Sequence, residues 1–216
     1  MDYKFDDFKD DYDEDEDYID REDELAFMHS LCSAFNGDVA SMRVLGDIYS
    51  SSGHGVVKDY NKAAYWYKRA ADCGDNNCLL CLADIYFDGG DDFPKDYDKA
   101  FSLYELAEEE GSIRGAARLG IMYLYGMGCD KDFKAARKLL ERAAKENDRE
   151  ACCEYALILK AEGAEDWFEY LEKSARQSYG KACWEIIESF ADKIDDKQTE
   201  QLSAEIATRI QNEMTY

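Results

Sequence analysis

Two histidines, eight cysteines and 49 carboxylates are the side chains from which chemistry could be built in this chain of 216 residues. His29 and His54 share no motif, and a catalytic base needs a partner within hydrogen-bond reach. Cys73, Cys78 and Cys81 put three thiols in nine residues, a density at which a metal or a redox pair has to be weighed. A structural zinc site takes four ligands, and the C-x-x-C of Cys78 and Cys81 has no second pair behind it. Cys78 also falls on a small, apolar position of a helical pattern, where a thiol acts as a small hydrophobe. Asp88, Asp91 and Asp92 lie around Gly89 and Gly90 without matching a twelve-residue calcium loop. Glycine-rich phosphate loops and a nucleophile elbow do not occur. Carboxylates are so numerous that a pair means nothing without geometry. No catalytic residue, metal or cofactor is expected.

The elements that would have to position such groups recur instead. A Leu-small-x-x-Tyr signature falls at Leu45, Gly46 and Tyr49, at Leu82, Ala83 and Tyr86, and at Leu119, Gly120 and Tyr123. It weakens to Tyr155, Ala156 and Leu159, and again to Ile186, Ile187 and Phe190. An Asp-aromatic-x-x-Ala signature marks Asp59, Tyr60 and Ala63, Asp96, Tyr97 and Ala100, and Asp132, Phe133 and Ala136. Each copy closes on a small residue and a stop: Ala71 and Gly74, Ala107 and Gly111, Ala144 and Asn147, Ala175 and Ser178. A period of this length predicts stacked helix pairs, each with a helix A, a glycine-containing turn and a helix B capped by its Asp. The copies span 37–73, 74–110, 111–146 and a shortened 147–178. Residues 25–36 are expected to form an N-terminal capping helix. Residues 179–216 are expected to form a C-terminal helix pair and cap, with Leu202, Ile206, Ile210 and Met214 on one stripe.

LGDIY, GHGV and KDYNKAAYWYKRAA in the first copy, LADIY and KDYDKA in the second, and LGIMY, YGMG and KDFKAA in the third resemble the Sel-one-like repeats, relatives of the tetratricopeptide repeats. The resemblance covers roughly residues 25–212. It implies an all-α fold, a right-handed α-solenoid of antiparallel helix pairs, and a protein-binding scaffold of no particular partner. Some relatives bridge consecutive helices through two cysteines eight residues apart. Here Cys73 stands two places beyond the slot of Ala71, and Cys152 and Cys183 face only Ala144 and Ala175. Reduced thiols in a reducing compartment are therefore expected.

Formal charge is −23, which disfavours nucleic acid, since phosphate contacts need Lys and Arg. It suits a basic protein or simple solubility. Residues 1–24 hold 14 acids against Lys4, Lys9 and Arg21, with Tyr3, Phe5, Phe8, Tyr12 and Tyr18 interleaved. Two readings stand: an extended, solvated tail, or an arm that docks on a basic, partly apolar surface. No run of apolar residues is long enough to span a membrane and the start lacks a leader pattern, so a cytoplasmic chain is expected.

Counted by its 100° step, helix A buries one side and turns another stripe outward. In the resembled family the first helices line the concave surface, so this stripe is the candidate groove for a protein or peptide partner. Its members are Arg43, Asp47, Leu80, Asp84, Arg114, Arg118, Ile121, Leu157, Trp184 and Glu188. Apolar residues here are expected to face solvent, and Arg43, Arg114 and Arg118 make a basic island. The expected function is a non-catalytic adaptor. The alternative is an acidic inhibitor or immunity-type protein that blocks a basic, nucleic-acid-processing partner by charge mimicry.

Overall fold

The structure is a computed structural model and describes residues 3–8, 21–51, 56–90 and 93–190. The proposed last helix, with Leu202 and Met214, lies outside the described residues. Among the described residues the protein is all-helical. A 3-10 turn, Phe5–Phe8, precedes α1 (Arg21–Phe35). Then follow α2 (Val39–Ser51), α3 (Tyr60–Asp72), α4 (Asn76–Asp88) and α5 (Tyr97–Glu109). The chain continues with α6 (Ile113–Tyr125), α7 (Phe133–Lys145), α8 (Arg149–Glu162), α9 (Trp167–Arg176) and α10 (Gly180–Phe190).

The repeat signatures map onto backbone chemistry. Asp59 accepts from the amides of Asn61 and Lys62, Asp96 from Lys99, and Asp132 from Lys134 and Ala135, so each caps its helix B. The amides of the same three aspartates donate back to the carbonyls of Tyr49, Tyr86 and Tyr123 at 2.9, 2.8 and 3.1 Å. The two signatures are thus the two ends of one loop clasp. Helix A is capped as well, by Asp75, Ser112 and Asp148. Every stop residue sits in the left-handed region: Gly37 (φ 96°), Gly74 (94°), Gly111 (86°), Asn147 (62°) and Ser178 (60°). There the chain leaves helix B while the amides of the next residues return to its last carbonyls, as Gly74 does to Ala71 and Asp75 to Ala70.

Two compact units result, Met1–Glu110 and Gly111–Tyr216. In the first, α1 to α5 pack each on the next, around Leu31, Leu45, Tyr49, Trp66 and Leu82. In the second, α6 to α10 do the same and α6 also meets α8, over Ala116, Leu140, Cys152 and Leu159. Close approach of helices A and B needs the small signature residue. A Cβ on Gly46 would lie 2.4 Å from the Tyr67 ring, and one on Gly120 would lie 2.9 Å from Leu140.

Residues 3–8 depart from the extended, solvated tail expected of the acidic start. Phe8 is fully buried in the first unit's core and Tyr3 packs beside it. The turn closes locally, the Asp7 amide donating to the Lys4 carbonyl and the Lys4 amide to the Asp7 carboxylate. Burial of two rings overcomes the charge repulsion that composition alone weighs.

Candidate partner-binding face

In the first unit, the acids of the proposed groove hold helix B in place. Tyr67 donates to Asp47 at 2.7 Å and Tyr104 donates to Asp84 at 2.5 Å. Burial and the Asp47 bond raise the Tyr67 pKa far above the usual phenol range. One repeat on, the same two positions are Ile121 and Leu140, both buried in the second unit's core. A polar latch has been exchanged for an apolar contact as a pair. Arg43 pairs with Asp75 at 3.7 Å. Leu80 is buried, 9% exposed, and so is Ile121 at 9%. The expectation that these two face solvent is corrected: both side chains are buried.

The second unit keeps more of the stripe open. Arg114, Trp184 and Glu188 are exposed, Trp184 to 66%. Arg118 pairs with Glu150 at 3.1 Å, and burial lifts the Glu150 carboxyl above its usual range although that arginine opposes the shift. Leu157 is half-buried and lines an open cavity of about 530 Å³ together with Leu124, Phe133, Ile158, Lys131 and Arg137. On the wall of this cavity Tyr125 donates to the Glu154 carboxylate at 2.8 Å, and the Lys181 ammonium donates to its other oxygen at 2.5 Å. Glu154 is buried, 3% exposed, so its charge is held by these two donors rather than by water. Burial works against the Lys181 charge, but the Glu154 bond outweighs it and leaves the Lys181 pKa above the ordinary lysine value.

Tyr125 and Phe133 belong to this surface and were not singled out by the stripe count. Both flank the α6–α7 loop, at the end and start of their helices, where a helical period carries no information. Of the acidic-arm residues, Tyr3 and Phe8 are brought together on α1–α3; the Phe5 side chain, Tyr12 and Tyr18 lie outside the described residues. The buried thiols Cys78, Cys152, Cys153 and Cys183 are packing groups here. Burial pushes Cys78 and Cys153 up to about 12 and Cys152 to about 11. Cys152 donates to the Ala144 carbonyl at 3.4 Å and Cys183 to that of Ala175 at 3.9 Å. His29 is exposed on α1, and His54 lies outside the described residues. No helix among the described residues is long and apolar enough to cross a membrane.

Comparison with known proteins agrees with this architecture. The chain matches the Sel1 repeat model over residues 39–75, 78–112, 113–148 and 168–179, more than half its length. A Sel1 repeat protein from Oxalobacter formigenes superposes with a TM-score of 0.69 at 23% identity, over 86% of this chain and 76% of that one. A protective antigen of uropathogenic Escherichia coli strains, which displays the SLR fold, gives a TM-score of 0.65 at 21% identity over 85% of this chain. This chain spans only 41% of that antigen's length. An immunity protein from Pseudomonas aeruginosa gives a TM-score of 0.56 at 15% identity, over 89% of this chain and 83% of that one. With its recurring clasps, capped helix pairs and left-handed stops, the chain belongs to the Sel1 repeat family and has that family's α-solenoid fold.

Proposed function

We propose that the chain is a non-catalytic scaffold that holds a protein or peptide partner, and that the partner's anchor enters the cavity beside Leu157. The observation that carries this reading is an open, mostly apolar cavity of about 530 Å³ lined also by charged side chains of both signs. A partner segment with one apolar side chain for the cavity and polar neighbours for Lys131, Arg137 and Glu162 fits it. Trp184 and Arg118 are of the residue types that most often anchor interfaces. A net charge of −23 supports a protein rather than a nucleic acid as partner. The free thiols fit a reducing, cytoplasmic setting. The test is capture of the partner from native lysate by the wild-type chain and by Leu157→Asp, at low and high salt. Retention by wild type at high salt and loss in Leu157→Asp, with unchanged circular dichroism, is expected. Capture that Leu157→Asp leaves intact would remove the cavity from the interface.

A second reading is supported by the acidity and by the fold shared with the Pseudomonas immunity protein. In it the chain neutralises a basic enzyme by presenting carboxylates where phosphates would bind. Binding would then fall steeply with salt and would be indifferent to Leu157→Asp.

A further inference from the structure

Phe8 lies in an aromatic slot made by three helices of the first unit. Its ring centroid is 5.3 Å from Trp66, 5.9 Å from Tyr49, and 6.0 Å from both Phe35 and Tyr65. Tyr3 closes the outside, 5.1 Å from Tyr65 in an edge-on contact. Two cations border the slot. Lys62 stands 5.4 Å over the Phe8 ring, and Arg69 stands over the rings of Trp66, Tyr65 and Phe35 at 5.1, 5.7 and 5.7 Å. The indole N–H of Trp66 is buried and has no acceptor among the described residues. Among the described residues the slot's rings are supplied by helices α1–α3, and its occupant is the segment Tyr3–Phe8, which closes on its own backbone and packs against those rings. That is the arrangement of a receptor with a tethered ligand. An aromatic side chain suits the rings and the two cations. Carboxylates beside it suit the charges of Lys62 and Arg69.

We propose that the slot between α1 and α3 is a peptide-binding site for a short aromatic segment flanked by carboxylates, filled in cis by Tyr3–Phe8 and open to a partner segment of the same chemistry when this one lifts. The site is separate from the cavity beside Leu157, and neither reading rests on the other. A tethered ligand acts at an effective concentration near the millimolar range, so the wild-type slot resists competitors.

The test uses the full-length chain and a fluorescein-labelled peptide of residues 1–12, followed by fluorescence anisotropy. The peptide is expected to bind the Phe8→Ala chain at least ten times more tightly than wild type, because only the variant slot is vacant. Adding Lys62→Ala to that variant weakens binding, and a peptide carrying Phe8→Ala does not bind. Equal binding to wild type and Phe8→Ala, or binding to neither, overturns the proposal. Loss of the cooperative thermal transition in Phe8→Ala also overturns it, since Phe8 would then be an integral core residue. Wild type mixed with Phe8→Ala should give no mixed dimer on size exclusion; a mixed dimer would assign the slot to a second copy's segment and overturn occupancy in cis.

Discussion

At the scale of single residues, the groove acids turned out to be latches. Asp47 with Tyr67 and Asp84 with Tyr104 recur one repeat apart, and the third copy replaces both partners with Ile121 and Leu140. Removing one partner strands a buried hydroxyl, whereas replacing both is tolerated. A double-mutant cycle of Asp84→Ile and Tyr104→Leu, read by urea denaturation, should therefore give a coupling of about 1 kcal/mol, with the double variant more stable than the singles imply. Lys181 has its pKa raised by Glu154 in the folded state, so its contribution is complete below the ordinary lysine value near ~10.4 and is lost as pH rises through the folded value. The melting difference between wild type and Lys181→Met should be constant from neutral pH upward and shrink only above that range. Thiol reactivity follows burial: with iodoacetamide at mildly alkaline pH, exposed Cys32 and Cys73 should label in minutes in the native protein. Cys78, Cys152 and Cys153, buried and with raised pKa values, should label only on unfolding. The Asp–Tyr recurrence was present in the sequence, but an outward-counted Asp looks the same whether it meets water or a tyrosine from the next helix.

At the scale of elements, sequence and structure agree closely. The capping aspartates, the small signature residue and the stops are local requirements, met within a few residues of chain. Asn147 and Ser178 take the left-handed conformation that the other copies give to glycine. Ser178→Gly should raise stability by about 0.5 kcal/mol, since serine pays more to adopt that backbone than glycine loses in the unfolded chain. Asn147→Gly should give a smaller gain because asparagine tolerates positive φ. Chemical denaturation of both variants checks the order. The shortened fourth copy is visible as α9, whose Asp166 makes no side-chain cap bond.

At the scale of the whole molecule, 49 acids against 26 bases make self-repulsion the dominant long-range term. Screening reaches about 10 Å at 0.1 M salt, so sodium chloride should raise the melting temperature steadily up to several tenths molar. A flat or falling profile would show that local ion pairs, such as Arg118 with Glu150 or Lys181 with Glu154, outweigh the repulsion.

The sequence by itself determined the repeat, the helix pairs, their caps and their turns. Each depends on a 3.6-residue period or on the backbone of one or two residues, and both are written locally. Only the tertiary structure decided which members of the outward stripe stay open. Leu80 and Ile121 are covered and Trp184 is not, because exposure depends on how near another element comes. It also decided the place of Phe8. Composition assigns an acidic stretch to solvent, but the rings that capture Phe8 come from three helices distant in the chain, and no local pattern records that they converge.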